Sequence, residues 1–170
     1  MDLSTVIRSI PDFPQPGVIF RDITTVLKDA EALKEAVSQI AHQLEDLEFD
    51  YVIGPESRGF IFGVPVAVAM GKGFIPLRKP GKLPCAVYSK PYELEYGTSA
   101  LEIHQDALKP GDKVVVVDDL IATGGTSKAI CELVEEIGAE VVSLNFLIEL
   151  KDLKGRDALT GYRVQALLEY

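Results

Sequence analysis

One stretch constrains this chain more than any other: Val114-Val115-Val116-Val117-Asp118-Asp119-Leu120-Ile121-Ala122-Thr123-Gly124-Gly125-Thr126. Four β-branched apolar residues in a row read as a strand buried on both faces of a sheet. Two adjacent carboxylates do not belong in the same apolar core, so the strand is expected to end at them and the chain to surface. Past the glycines, Ile130, Leu133, Val134 and Ile137 recur at the spacing of one buried helix face. Gly138 follows, where a helix C-cap is expected. The order is strand, acidic pair, glycine turn, helix. In an open α/β sheet that order puts the pair and the turn at the carboxyl end of a strand, where ligands bind.

Each part has a chemical use. Gly124 and Gly125 let backbone N–H groups approach and surround an anion, with Ala122 leading into the turn. The helix N-terminus adds a favourable dipole, and Thr123 and Thr126 add hydroxyl donors. This is a phosphate cradle. Asp118 and Asp119 would repel a bare phosphate. They fit a ligand that also carries hydroxyls or develops positive charge, and a ribose 5-phosphate meets both conditions. An ordinary strand-to-helix turn explains neither the acidic pair nor both threonines.

The rest of the chain supplies matching elements. Leu3 to Ile10 reads as a short helix, and the Pro-rich stretch after it as an extended, turning path. Val18 to Ile23 is too irregular to assign as a strand. Asp29 is placed to N-cap a helix whose stripe is Leu33, Val37, Ile40, Leu44 and Leu47, with His42 on the polar face. Tyr51 to Ile53 reads as a short strand ending at Gly54, Gly59 to Met70 as a buried helix, and Phe74 to Leu77 as the next strand. Arg78 to Tyr96, rich in Lys, Pro and Gly, reads as a long loop or loose hairpin. Thr98–Ile103, Val141–Ile148 and Arg163–Leu168 complete the strands. Alternating strands and helices imply a mainly parallel sheet covered on both faces, an α/β fold in one domain spanning 1–170.

Composition narrows the classes. A net charge of −9 and a pI near 4.7 argue against a nucleic-acid partner. The longest apolar run, Phe60 to Met70, is too short for a bilayer and broken by Gly63 and Pro65. Met1-Asp2-Leu3-Ser4 does not open a signal peptide, and Cys85 and Cys131 form no CxxC pair. A cytoplasmic setting is expected. A Walker nucleotidase is excluded, because no GxxxxGK[ST] occurs.

Apolar strand, two acidic residues and Ala-Thr-Gly-Gly-Thr resemble the phosphoribosyl-pyrophosphate (PRPP) signature of the type I phosphoribosyltransferases. Three further stretches extend the likeness, so that it covers about Pro11 to Glu149. Gly54-Pro55-Glu56-Ser57-Arg58-Gly59-Phe60 offers a helix N-terminus and a guanidinium, and resembles the family's pyrophosphate loop, often with a cis bond at Glu56–Ser57. Arg78-Lys79-Pro80-Gly81-Lys82-Leu83-Pro84 and Leu94-Glu95-Tyr96-Gly97 resemble the lid of the family's adenine-using branch. Phe13 to Ile23 resembles that branch's N-terminal hood, about residues 1–25.

The resemblance implies the type I phosphoribosyltransferase fold: a central, mainly parallel sheet flanked by helices with a small N-terminal hood. It implies a purine-salvage glycosyltransferase converting adenine and PRPP to AMP and pyrophosphate. It places the ribose 5-phosphate on Asp118, Asp119 and the Ala122–Thr126 cradle. Arg58, Arg78, Lys79 and Lys82 fall on the pyrophosphate, with Arg78 reaching the neighbour's site in a homodimer. Ile19, Phe20, Arg21 and Leu120 fall on adenine, where Ile19 C=O and Arg21 N–H read the base. Glu95 and Tyr96 close over the reacting centre with Arg58 and Asp118, and Glu95 is the candidate for moving the adenine proton. Mg²⁺ is carried by PRPP, with no dedicated protein ligands. Two rivals stay open: a phosphoribosyltransferase for another base, and a non-catalytic PRPP sensor, which calls for a DNA-binding extension and a basic surface.

Overall fold

The computed structural model describes residues 1–93 and 97–170. A 3₁₀ turn at Leu3–Thr5 leads into an antiparallel hairpin, β1 (Arg8–Pro11) and β2 (Ile19–Asp22). Helices α1 (Thr24–Lys28) and α2 (Ala30–His42) precede β3 (Tyr51–Pro55), α3 (Arg58–Ala69) and β4 (Gly73–Leu77). A second antiparallel hairpin, β5 (Val87–Glu93) and β6 (Thr98–His104), forms its own two-stranded sheet and packs Leu101 and Ile103 into the core beside the main sheet. Then come β7 (Lys113–Ile121), α4 (Gly125–Ile137), β8 (Glu140–Glu149), two 3₁₀ segments over 151–159 and β9 (Val164–Glu169).

The five-stranded sheet runs β4-β3-β7-β8-β9, and every pairing is parallel. The four valines lie at its centre, all fully buried. Their alternation divides them between two cores. Val114 and Val116 pack with Ile130, Leu133 and Val134 of α4, while Val115 and Val117 pack with Phe62 and Val66 of α3 and Ile40 of α2. A strand covered on both faces can be apolar at every position, which is why these residues show no period of two. Burying each contributes roughly 1.5–3 kcal/mol. Among the described residues no helix is long and apolar enough to cross a membrane.

The central strand does not end at the acidic pair. It continues through Asp118 and Asp119 to Ile121, paired with β8 as far as Ile121–Glu149. On its other side, pairing with β3 stops at Ile53–Val116. The two strands separate there, so the carboxylates meet a cleft while the backbone stays in the sheet. Gly54 sits at the separation point, where a Cβ would lie 2.7 Å from Val117 O.

Other expectations need correction. Leu3–Ile10 is a 3₁₀ turn followed by a strand rather than a helix, and Ile19–Asp22 is a strand although its pattern is irregular. Side chains fix both: Asp2 caps the turn by accepting from Ser4 N–H at 2.9 Å, and Arg8 pairs with Asp22 across the hairpin. Asp29 caps α2 as expected, accepting from Glu31 and Ala32 N–H at 3.0 Å each. The helix stops at His42, so Leu44 is buried from a turn. Helix α3 is not buried all round: Ile61, Val64 and Val68 form an exposed stripe, with Val68 75% accessible. Of the two readings for Arg78–Tyr96, the hairpin holds for β5, while Arg78 itself bridges to Glu102 of β6.

Candidate active site

A cleft of about 390 Å³ opens at the carboxyl ends of β3 and β7, and the whole Asp118–Thr126 run lines it. Gly124 takes φ +83° and starts α4, whose first N–H groups have no partner within the helix. The loop is supported from below. Gly155 packs against it so closely that a Cβ there would lie 2.4 Å from Ala122 O. Arg156 holds this supporting segment in place, its Nε donating to both carboxylate oxygens of buried Glu149 at 2.8 Å and its Nη1 to Val164 O at 2.6 Å. Gly155, Arg156 and Glu149 carry no motif of their own, and sequence reasoning passed over them.

The acidic pair is asymmetric. Asp119 is buried and accepts from Arg58 Nε at 2.6 Å. Arg58 remains 57% exposed, so most of its guanidinium fork still faces outward. Asp118 accepts the Asp119 N–H at 2.8 Å. Burial, and then the negative charge of Asp119, push its pKa well above the ordinary carboxylate value. Gly59 makes room for it, since a Cβ there would lie 3.1 Å from Asp118 Oδ1. The neighbouring Glu56–Ser57 peptide bond is cis. Asp118 and Asp119 are hard oxygen donors of the kind that suit Mg²⁺. Among the described residues no three His, Cys, Asp or Glu side chains gather as a metal site.

The cation segment sits at the cleft's edge. Lys79 lines the cleft. Arg78 and Lys82 turn toward Glu56, with Arg78 Nε 3.3 Å from Oε1 and Lys82 Nζ 2.9 Å from Oε2. The second hairpin closes the far side through Tyr92 and Leu101. It is tied to α4 by Lys90, which pairs with Glu132 at 3.3 Å and with Glu136. Glu95 and Tyr96 lie outside the described residues.

Of the four residues assigned to the base, only Leu120 lines the cleft. Ile19 is 53% exposed, and Phe20 packs edge-on against Phe13. The Arg21 guanidinium lies 4.0 Å over the Tyr170 ring and donates to Ser9 Oγ. Arg21's side chain is therefore committed to the hood and to the end of the C-terminal strand. Cys85 is exposed, Cys131 is buried, and His104 sits in β6 with its Nε2 buried.

Carboxylates beside a phosphate cradle, with an arginine and a lysine on the same cleft, suit a phosphorylated sugar that gains positive charge while losing an anion. Known proteins agree with that chemistry. Residues 24–165 match the family model described as phosphoribosyl transferase domain. The adenine phosphoribosyltransferase of Alkaliphilus oremlandii is 55% identical over 170 residues, covering 100% of this chain and 99% of the relative. A solved adenine phosphoribosyltransferase from Thermoanaerobacter pseudethanolicus superposes with a TM-score of 0.96 at 51% identity, covering 99% of this chain and 98% of that one. One from Saccharomyces cerevisiae, complexed with D-2,5-dideoxy-2,5-imino-altritol 1,6-bisphosphate and adenine, superposes with a TM-score of 0.89 at 37% identity, covering 96% and 94%. The fold is that of the type I phosphoribosyltransferases, and the chain belongs to the adenine phosphoribosyltransferase family.

Proposed function

We propose that the chain transfers the 5-phosphoribosyl group of PRPP to adenine, giving AMP and pyrophosphate. The observation that carries the reading is the convergence of the cradle, the acidic pair, Arg58 and Lys79 on one cleft.

The charge flow fits the residues. The ribose C1–oxygen bond breaks and its electron pair leaves with pyrophosphate. Adenine N9 then bonds to C1. Positive charge grows on the sugar, beside Asp118 and Asp119. Negative charge grows on the leaving group, facing Arg58, Lys79 and Lys82, with Arg78 supplied across a dimer. Groups fixed where charge develops stabilise the transition state more than the ground state. The 5-phosphate rests on Ala122–Thr126 and the α4 N-terminus. Glu95 takes the adenine proton, and Glu95 and Tyr96 close the centre against water. Mg²⁺ carried by PRPP would supply neutralising charge to the pyrophosphate, and Asp118 and Asp119 are the residues here that could face it.

Residues 1–170 act as one domain, with about 1–25 as a hood over the base. The family match beginning at residue 24 supports treating the hood as an addition. Ile19 C=O accepts from the adenine 6-amino group and Arg21 N–H donates to N1, with Phe20 and Leu120 against the ring. The exposed α3 stripe of Ile61, Val64 and Val68 supports a homodimer, which sedimentation would detect. The setting is the cytoplasm, with neither nucleic acid nor membrane as partner. Incubation with PRPP, Mg²⁺ and labelled adenine tests the reaction: labelled AMP and equimolar pyrophosphate are expected, and their absence contradicts it.

A further inference from the structure

We infer that Glu56 is a positioning residue for the leaving-group end of the site, acting through Lys82 and the Lys79 backbone; this rests on the reading of Lys82 as a pyrophosphate ligand. Glu56 opens the turn between β3 and α3, and its own N–H donates to Leu77 O at 2.8 Å. Its side chain is only 9% exposed. The two carboxylate oxygens divide the work. Oε1 accepts the Lys79 N–H at 2.7 Å and lies 3.3 Å from Arg78 Nε. Oε2 takes Lys82 Nζ at 2.9 Å.

The 78–82 segment has a second anchor on the other side. Arg78 and Glu102 exchange backbone hydrogen bonds of 2.9 and 2.7 Å, and Gly81 N–H donates to Glu102 Oε2 at 3.1 Å. That anchor holds the backbone alone. Glu56 is the group that both lines the cleft and holds a lysine ammonium.

A neutral acceptor would serve the Lys79 N–H as well. The negative charge is needed only for the cations. Burial raises the Glu56 pKa, but the Lys79 N–H and the Lys82 ammonium outweigh it, so the group stays below its ordinary value and ionised. A free lysine side chain has many rotamers, and ordering it on a ligand costs conformational entropy. Lys82 held on Glu56 has lost much of that freedom before a ligand arrives. An ammonium has three donors, so Lys82 can keep one on Glu56 and turn the others to a pyrophosphate.

The test is a double-mutant cycle of Glu56→Gln and Lys82→Met, read as KM for PRPP, KM for adenine and kcat. Gln keeps the acceptor for Lys79 N–H and removes the charge. Glu56→Gln should raise KM for PRPP about tenfold, the scale of one charged hydrogen bond. KM for adenine should stay within about twofold, as expected for a remote, independent site. Added to Lys82→Met, it should change KM for PRPP less than about twofold, the additivity limit of such cycles. Equal factors in both backgrounds, or equal rises in both KM values, overturn the inference and leave Glu56 a structural residue. A lowered KM for PRPP also overturns it, because the carboxylate would then compete with pyrophosphate. A Lys82→Met variant with unchanged KM for PRPP removes Lys82 from the pyrophosphate and takes the underlying assignment with it. If Glu56→Gln melts below assay temperature, Glu56→Asp replaces it, with the same dependence on Lys82.

Discussion

Gly124 and Gly155 meet backbone to backbone: a Cβ on Gly124 would lie 2.4 Å from Gly155 O. The cradle's left-handed turn and the segment beneath it are therefore one packed unit. Gly155→Ala would push a methyl toward Ala122 O and Ile121. Overpacking of this kind costs about 1–3 kcal/mol. The expected result is a lower melting temperature and a KM for PRPP raised about tenfold or more, with KM for adenine less affected. An unchanged KM for PRPP would show that the cradle does not depend on its floor.

Asp118 should act through its charge. Asp118→Asn preserves size, so circular dichroism and melting should be near wild type, while kcat falls about 10²–10³-fold. The raised pKa has a definite sign. Burial and the charge of Asp119 hold its pKa above the ordinary carboxylate range, so the acid-side fall in kcat should also lie above that range. That acid limb should vanish in Asp118→Asn. A wild-type profile flat down to the ordinary carboxylate range contradicts this role.

The hood depends on a carboxylate with no motif around it. Asp22 is buried and accepts from the Thr24 hydroxyl and N–H and from Arg8. These bonds, those from Thr24 first, hold its pKa down to about 2. A depressed folded-state pKa gives stabilisation that is present above the unfolded value near 3.9 and lost as pH falls toward 2. Asp22→Asn should speed amide exchange across Ile19–Asp22 and raise KM for adenine, leaving KM for PRPP close to wild type. Arg21→Ala removes the stack on Tyr170 yet should retain the preference for adenine, because backbone groups read the base. Loss of that preference would assign the reading to the guanidinium.

The second hairpin is fastened to α4 by Lys90 between Glu132 and Glu136. Partly exposed ion pairs contribute about 0–1 kcal/mol and weaken with salt. Lys90→Ala, or high salt on the wild type, should therefore increase chymotryptic cleavage within β5, and PRPP with Mg²⁺ should restore protection. Equal cleavage in every condition would mean that the hairpin is held elsewhere.

The legible parts of the sequence were those where one physical demand acts alone. The valine run announced a doubly covered strand, and Asp29 announced a cap. Gly138 marked a helix C-cap and is observed there at φ +92°, while Gly124, read only as part of an anion-binding turn, takes φ +83°. The parts misread were those that depend on partners distant in sequence. Asp118 and Asp119 looked like a strand end because a buried carboxylate is costly. Arg58, 61 residues away, offsets that cost for Asp119 and lets the strand continue. The amphipathic stripe of α2 ran past the helix end because Leu44 is buried from a turn. Helix α3 looked buried because its composition is apolar all round, and composition cannot say which face meets another body. Glu56 was read only as part of a pyrophosphate loop, since its contacts with Lys79 and Lys82 cross more than twenty residues. Glu149 and Arg156 support the cradle through packing that leaves no pattern in sequence.

This cleft should join PRPP to adenine in preference to other bases. Adenine pairs a 6-amino donor with an N1 acceptor, and hypoxanthine reverses both. A backbone C=O and N–H set for one base face like against like with the other, and unpaired buried groups can reject a substrate by about 10⁴-fold. The direct measurement is kcat/KM for adenine, hypoxanthine and guanine with PRPP and Mg²⁺. Adenine should exceed the other two by about 10³–10⁴-fold, and comparable efficiency with hypoxanthine or guanine would contradict an adenine-selective site.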